Sequence, residues 1–160
     1  MVKLPSKRRY LWMILAAVAV TLILSACTTT PRVPAAQPMP PGGNFSGLWY
    51  SPHFEHMYLL QSGDTVRGVY AYREGGRLEG TVEGNLLKFE WTDPGSREHA
   101  RRGMSGHGYL QLTRDGESMR LVGQWGHDEK YTGAGPWEAD FVRELESDDP
   151  MTVEDVSRVH

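Results

Sequence analysis

Histidine and arginine side chains gather in the segments that connect the predicted strands of this 160-residue chain. Such side chains can bind anions or polar groups, and imidazoles can also bind metal ions. The candidate ligand-binding residues are His53, Arg97, His99, Arg101, Arg102, His107 and His127. Because loops on a rigid scaffold often carry function, these residues mark the place where we expect a site.

A metal site would require several imidazoles to converge on one point. His53 and His56 could act together with His99 or His127. In an extended segment, however, the spacing from His53 to His56 points the two rings to opposite faces. No spacing in the chain matches a standard zinc motif. We therefore expect neither a metal nor another cofactor.

Hydrolysis and anion binding are the other chemistries that these residue types allow. Ser51 or Ser105 could be combined with a histidine and an aspartate, but the chain has no Gly-x-Ser-x-Gly motif. We therefore expect that the protein is not an enzyme. Arg97, Arg101 and Arg102 could bind an anion, or they could form ordinary solvated loop surface.

The segments between these loops alternate apolar and polar residues with a period of two. Leu87, Phe89 and Trp91 share one face of such a segment, whereas Lys88 lies on the other face. Turns that contain glycine separate the segments at short intervals. This pattern predicts an all-β fold over residues 45–143, a small antiparallel meander barrel of about seven or eight strands.

The two ends of such a barrel differ in their predicted connections. In a meander, successive connections alternate between the ends. Tight turns near residues 63, 84–85 and 115–116 therefore belong to one end, and the longer loops 93–106 and 126–136 belong to the other. The end with the long loops carries most of the candidate residues, and we expect it to be the binding end.

Large aromatic side chains supply the core that so small a domain needs. We interpret Trp49, Trp91, Trp125 and Trp137 as core residues rather than as a ligand cage. Glycines recur beside aromatic residues inside the predicted strands, where they indicate bends or close backbone approach.

The opening of the first strand, Gly47-Leu48-Trp49, resembles the Gly-x-Trp opening of the calycins, the class of barrels that includes lipocalins and avidin. In lipocalins a basic residue late in the chain packs over this tryptophan, so the resemblance implies that role for Arg143. The chain departs from lipocalins because it is shorter and lacks a C-terminal helix of the usual size. Biotin binding is not implied, because another strand with a tryptophan follows the avidin-like residues 126–128.

Residues 1–26 have the layout of a secretory signal, with basic residues followed by an apolar run from Tyr10 to Leu24. The run is shorter than the ~20 residues of a spanning helix, although a short uncleaved membrane anchor is an alternative. The junction Leu24-Ser25-Ala26-Cys27 resembles the bacterial lipobox. That resemblance implies cleavage before Cys27 and attachment of lipid to its thiol.

The lipobox resemblance also implies a location. Lipoproteins with Asp after the lipidated cysteine tend to stay at the inner membrane, and Thr28 occupies that position here. We therefore expect a cell-envelope protein at the outer membrane, facing the periplasm or the surface. Cys27 is the only cysteine, so lipidation would remove a free thiol from a chain that cannot form an internal disulfide.

The charge of the chain argues against nucleic acid as a partner. Residues 1–26 carry four of the 17 Lys and Arg residues and none of the 20 Asp and Glu residues. Processing would therefore make the chain more acidic than its formal net charge of −3. An acidic surface repels phosphate backbones and anionic lipid.

The segments on either side of the predicted barrel are poor in apolar residues. Residues 27–44 comprise the lipidated cysteine and a Pro-rich linker, which we predict to be a semi-rigid spacer. The composition of residues 144–160 predicts an acidic, mostly disordered tail.

Together these features predict a lipid-anchored binding module of the cell envelope. It would bind a small ligand, a glycan or a protein at the open end of its barrel, and the membrane through the lipid on Cys27. The alternative is a structural or assembly lipoprotein whose barrel is filled and has no ligand pocket. A barrel with a pocket at its open end would favour the binding module, and a completely filled barrel would favour the structural alternative.

Overall fold

The computed structural model describes residues 32–73, 75–94 and 104–150. Five predicted site residues lie outside these ranges and stay predictions: Cys27, Arg97, His99, Arg101 and Arg102. Within the ranges the chain forms the strands β1 Gly47–Ser51, β2 Glu55–Ser62, β3 Thr65–Tyr70, β4 Gly76–Glu83, β5 Leu86–Asp93, β6 Met104–Asp115, β7 Ser118–His127 and β8 Gly135–Arg143. The described residues contain no helix long and apolar enough to cross a membrane.

The eight strands close into one antiparallel barrel in which each strand pairs with its neighbours in sequence and β1 pairs with β8. This topology confirms the predicted all-β meander barrel. The segment after Pro52 forms the partner of β1 rather than its continuation, with Trp49 opposite Met57. Strands β6 and β7 are longer than predicted. Gly106 and Gly126 let their backbones approach so closely that a Cβ on Gly106 would meet the carbonyl of Gly126.

The predicted alternation places one face of every strand in the core. Leu87, Phe89 and Trp91 of β5 are buried, and the residues between them are exposed. Gly80 lies opposite Phe89 across β4 and β5, and a Cβ on Gly80 would collide with the Phe89 backbone and Cβ. Gly108 lies opposite Phe89 in β6, and a Cβ there would meet the far edge of the Phe89 ring. The glycines inside these strands therefore make room for a large core residue.

The barrel interior is filled with side chains over most of its length. Trp49 and Trp137 are fully buried, as are the apolar residues Phe45, Met57, Leu59, Val66, Leu87, Leu110, Leu112 and Leu121. The Trp49 indole N–H donates to the Phe45 carbonyl oxygen at 2.9 Å, so its one polar group is satisfied inside the core. The interior is therefore a packed core and not a deep cavity.

The residue that packs on Trp49 differs from the one that the calycin resemblance implies. The Phe141 ring meets the indole edge-on, with centroids 5.2 Å apart. This ring occupies the space that a side chain on Gly47 would need, and Gly47 has a φ of 144°. The Arg143 guanidinium instead binds the carboxylate of Asp149 through two hydrogen bonds of 2.8 and 2.9 Å.

The first residues of the predicted tail, 144–150, are bound to the end of β8. Asp149 is only 7% exposed and accepts a further hydrogen bond of 2.7 Å from the Glu146 backbone N–H. The Arg143 hydrogen bonds, assisted by the Glu146 bond, lower the pKa of Asp149 to about 2. Residues 144–150 thus form a clip on the end of β8, whereas residues 151–160 lie outside the described ranges.

The second half of the predicted spacer is also bound to the barrel. We call residues 36–44 the strap. The Gln37 backbone N–H donates to Asn85 Oδ1 at 2.8 Å, and the Asn85 N–H donates to the Gln37 carbonyl at 2.8 Å. Farther along, Arg114 Nη2 donates to the Pro41 carbonyl at 2.7 Å, and Met39 packs against the core. The strap therefore covers the turn between β4 and β5 instead of acting as a free spacer.

Asn85 connects the strap to the barrel wall. It is buried, and its side-chain amide donates to the Leu112 carbonyl at 2.9 Å, while the Leu112 N–H donates to the Asn85 carbonyl at 2.7 Å. Gly84, with a φ of 55°, has no room for a side chain because the Gln37 carbonyl lies against it. The tight-turn end of the barrel is thereby closed by backbone and side-chain hydrogen bonds.

Candidate functional site

A pocket of about 390 Å³ lies at the end of the barrel opposite the strap. We call it the mouth pocket. It is lined by His53, Phe54, Tyr70, Tyr72, Arg73, Trp91, Asp93, Met104, Trp125, Ala134, Gly135, Pro136 and Trp137. These residues come from the connections after β1 and β3, the ends of β3, β5 and β7, and the starts of β6 and β8 with Ala134 before it. The pocket thus lies at the end where the sequence predicts the longer loops.

The floor of the mouth pocket is a stack of aromatic rings. The Phe54 ring lies on Trp137, with centroids 3.8 Å apart and an interplanar angle of 21°. Tyr70 meets Trp137 edge-on at 5.3 Å, and both Phe54 and Trp137 are buried. Because these rings belong to the main core, the floor is rigid and the pocket is shallow.

One wall of the pocket is formed by two nearly perpendicular indoles. The Trp91 and Trp125 rings have centroids 5.3 Å apart and an interplanar angle of 83°. The Trp91 N–H donates to the Gly126 carbonyl at 3.1 Å, which fixes the orientation of this ring. The exposed ring of His127 lies edge-on to Trp125, at 5.1 Å, and extends the wall at the rim.

A carboxylate lies among these aromatic side chains. Asp93 follows Trp91 by two residues in β5, so the two side chains share the inward face, and Asp93 is 5% exposed. Burial and, to a smaller extent, the Asp93 charge raise the pKa of Tyr70. The Tyr70 phenol therefore stays protonated and donates to the Thr92 carbonyl at 3.4 Å. The pocket combines an apolar floor with one buried carboxyl group.

The rim of the pocket carries basic side chains. Arg73 places its guanidinium over the Tyr72 ring, 5.0 Å from the centroid, and is itself exposed. His53 lies in the turn between β1 and β2, which is held by the Ser51 hydroxyl. Ser51 Oγ accepts the backbone N–H groups of His53 and Phe54 at 3.4 and 3.3 Å. Because Ser51 is fully buried and bonded in this way, its role is structural.

The structure separates the predicted histidines into two groups. His53 lines the mouth pocket and His127 borders it, whereas His107 lies on the outer wall. The His107 Nδ1 is 2.5 Å from the Asp128 carbonyl, and its Nε2 is 3.5 Å from a carboxylate oxygen of Glu90. His107 alternates with Gly106 and Gly108, which face the interior, so its ring points outward.

Several pocket residues were not among the predicted binding residues. They are Phe54, Tyr70, Tyr72, Arg73, Asp93, Met104, Ala134, Gly135 and Pro136. The signal for Asp93 is its position two residues after Trp91 in an alternating strand, which places an acidic side chain on the core face. Trp91, Trp125 and Trp137 belong to or pack against the core, and they line the pocket as well. One side of a core aromatic residue can thus serve as a binding surface.

No group of three His, Cys, Asp or Glu side chains in the described ranges is placed to hold a metal ion. Comparisons of the chain with protein-family models, with curated proteins and with solved structures gave no match. The function of the chain is therefore inferred from the chemistry of the mouth pocket.

Proposed function

We propose that the protein is a lipid-anchored binding module of the cell envelope that holds a small ligand in the mouth pocket. The observation that carries this proposal is the combination of a rigid aromatic floor with buried Asp93 at the open end of the barrel. The pocket volume of about 390 Å³ is within the range of small-molecule sites. Ligand sites of this kind pair an apolar lining with a few polar groups that fix orientation.

The sequence upstream of the strap supports the anchored part of the proposal. The lipobox-like residues Leu24-Ser25-Ala26-Cys27 precede the strap in sequence. The strap itself is bound at the closed end of the barrel, away from the residues that line the mouth pocket. Mass spectrometry of the mature N-terminus tests this part, since an uncut chain with unmodified Cys27 would contradict it.

A structural or assembly lipoprotein is the second candidate function, and the outer wall of the barrel favours it. Tyr50, Val122 and Val142 expose 47%, 38% and 50% of their surface on the neighbouring strands β1, β7 and β8. Exposed apolar residues on adjacent strands suit a protein contact. The filled interior below the pocket is also compatible with a purely structural barrel.

A fragment screen distinguishes the two functions. The full chain, in detergent micelles, is titrated with aromatic, alkylammonium and monosaccharide fragments while the indole N–H resonances are followed by NMR. We expect saturable binding of at least one class, detected at Trp91 and Trp125. The variant Ala134→Trp fills the rim and should abolish binding, whereas Glu117→Trp, in the turn at the opposite end, should not.

Two results would contradict the ligand-binding function. One is the absence of saturable binding for every fragment class, and the other is binding that Ala134→Trp leaves unchanged. Crosslinking of the full chain in envelope membranes then tests the second function. An envelope partner that is lost with Tyr50→Ser and Val142→Ser, and kept with Ala134→Trp, would support the structural role.

A further inference from the structure

Arg73 places a positive charge at the rim of the mouth pocket, in a turn whose backbone is unusual for arginine. The Gly75 N–H donates to the Tyr72 carbonyl at 2.9 Å, so Arg73 is the second residue of a β-turn. Its φ is 55°, in the left-handed region where such turns favour Gly, Asn or Asp. The guanidinium lies 5.0 Å from the centroid of the Tyr72 ring, and both residues line the pocket. The turn therefore holds the charge beside an aromatic surface.

The described ranges contain three non-glycine residues with positive φ, and each lies in or next to a connection at the open end. They are Glu55, Arg73 and Asp128, with φ values of 60°, 55° and 55°. The tight turns at the closed end use glycine where φ is positive, namely Gly63, Gly84 and Gly116. A residue with a Cβ is disfavoured in this region, and such conformations cluster at functional sites. Of the three, Arg73 lines the pocket.

The Arg73 guanidinium has no carboxylate partner among the described residues. The ion pairs within these residues are formed by other basic side chains, namely Arg67, Lys88, His107, Arg120 and Arg143. Arg73 is exposed, and contact with the face of a ring leaves the N–H groups in the guanidinium plane able to donate. Such a group is suited to a carboxylate, which can accept two parallel hydrogen bonds from it.

The pocket beside Arg73 offers apolar surface that the core does not cover. Tyr72 and Trp125 are half-buried, and Met104 is 43% exposed. The Phe54 ring meets both Tyr72 and Trp125 edge-on, with centroids 5.8 and 5.9 Å apart. Tyr72 and Trp125 thus flank one apolar surface, and a ring that lies on it would bury this surface from water.

We propose that the mouth pocket binds an aromatic carboxylate, with its ring on the surface that Tyr72 and Trp125 flank and its carboxylate on Arg73. This inference rests on the proposed ligand-binding function and names the class of ligand. A compact ring with one acidic group uses both the apolar surface and the cation at the rim. A neutral ring of the same shape would cover the apolar surface without an attraction to Arg73.

The shape and the polar groups of the pocket restrict this ligand further. A long alkyl chain would have to enter the barrel, whose interior below Phe54 and Trp137 is filled. Asp93 also lines the pocket, but it is 5% exposed and already takes part in another interaction. The ligand carboxylate is therefore expected at the exposed rim, where His53 offers a second hydrogen-bonding group.

The test compares two probes of nearly equal shape that differ in charge. Phenylacetate and its neutral amide, phenylacetamide, are titrated separately into the full chain in maltoside micelles, and the indole N–H resonances are recorded. Equilibrium dialysis gives the free concentration of each probe, because the amide partitions into micelles more than the anion does. We expect phenylacetate to bind about threefold to fivefold more tightly at low ionic strength, as an exposed ion pair predicts. This preference should disappear in about 0.5 M sodium chloride, because salt screens such a pair.

Two pairs of variants locate the effect. Arg73→Gln removes the charge at the rim, and Arg77→Gln makes the same change on the outer face of β4. Trp125→Leu removes a half-buried ring from the pocket, and Tyr50→Leu removes an exposed ring from the outer wall. We expect the two probes to bind equally well to Arg73→Gln. Trp125→Leu should weaken the binding of both probes on the order of tenfold, and both controls should match the wild type.

Equal affinity of the wild type for the two probes, with both affinities reduced in Trp125→Leu, would overturn the carboxylate proposal and leave the ligand-binding function standing. A preference for phenylacetate that persists in Arg73→Gln, or that salt leaves unchanged, would overturn it too. Failure of both probes to bind would also overturn it, and the fragment screen would then decide separately whether the pocket binds any ligand. If Arg73→Gln does not fold, Arg73→Gly removes the same charge and suits the left-handed backbone.

Discussion

Antiparallel strands meet in hairpin connections at both ends of this barrel, but only one end is covered by the segments that flank the barrel in sequence. At one end, the strap covers the turn between β4 and β5 and the clip binds the end of β8, and Asn85 and Asp149 are buried with hydrogen-bond partners. At the other end, the connections are longer and aromatic rings line an open pocket. Closure of one end by flanking segments leaves the other end free for binding.

This difference means that substitutions at the two ends should have separable consequences. Changes at the closed end should alter the free energy of unfolding and leave the pocket intact. Changes at the pocket wall should alter binding more than stability, because Trp125 is only half-buried. The core residues between the two ends should affect both properties.

The largest expected effect belongs to Trp137→Ala. The ring is fully buried, packs on Phe54, Tyr70 and Phe89, and forms the pocket floor. Its removal should lower the free energy of unfolding by about 3–5 kcal/mol and abolish binding at the pocket. Urea denaturation of the wild type and the variant measures the loss. A loss below about 1 kcal/mol would contradict the packed floor.

Asn85→Ala should have the next largest effect, and it should be confined to the closed end. The substitution removes the acceptor of the Gln37 N–H and the donor to the Leu112 carbonyl. We expect a loss of about 1–3 kcal/mol, together with faster hydrogen exchange at Gln37. Asn44→Ala, at an exposed residue of the strap, serves as the control. Unchanged exchange at Gln37 would show that the strap is not held by Asn85.

The open end should be sensitive to alkali because of Tyr70. Its pKa in the folded state is raised above the ordinary value of 10.0, chiefly by burial, so folding favours the protonated phenol. The resulting stability is fully present below pH 10 and is lost as the pH rises beyond it. Thermal unfolding should therefore show a steeper decline above pH 10 for the wild type than for Tyr70→Phe. Parallel declines would contradict this assignment, and Tyr50→Phe on the outer wall is the control.

The closed end should be sensitive to acid because of Asp149. Its pKa falls from 3.8 to about 2 on folding, so folding favours the carboxylate. The stability that the clip contributes is therefore present above about pH 4 and is lost as the pH falls through about 2. The difference in melting temperature between the wild type and Asp149→Asn should shrink over this interval. A difference that is constant with pH would exclude the ionised pair, and Asp148→Asn is the matched control.

The strands could be predicted because their signal is local. Alternation in the sequence around Leu87, Phe89 and Trp91 is enough to indicate which side chains face a core. In a meander, successive connections lie at alternate ends of the barrel, so the end with the longer loops could also be predicted. The strand boundaries of β6 and β7 were less accurate, because their extension depends on the close approach of Gly106 and Gly126.

The strap and the clip could not be predicted because their partners are distant in sequence. Gln37 bonds to Asn85, 48 residues away, and the proline-rich composition of the strap carries no sign of that partner. Arg143 was expected over Trp49, but a carboxylate six residues later offers its guanidinium two hydrogen bonds. In each case the fold brings a polar group near a barrel end to its hydrogen-bond partner, and the local sequence pattern does not indicate that partner.

The pocket could be predicted in part. Loop composition placed His53 and His127 at the correct end, but it also included His107, which strand alternation turns outward. The pocket lining comes mostly from aromatic core residues. Which side of each ring is exposed depends on the level along the barrel at which side chains no longer fill the interior. The packing of Phe54 on Trp137 forms the top of the filled interior, and no short sequence motif predicts this packing.

The central claim, that the open end binds a ligand and the closed end does not, is tested most directly by one NMR titration. The indole N–H groups of Trp125 and Trp49 report on the pocket and on the buried core, respectively. Addition of a ligand from the fragment panel should shift the Trp125 resonance saturably and leave Trp49 unchanged. Equal shifts of both resonances, or no saturable shift with any fragment, would contradict the claim.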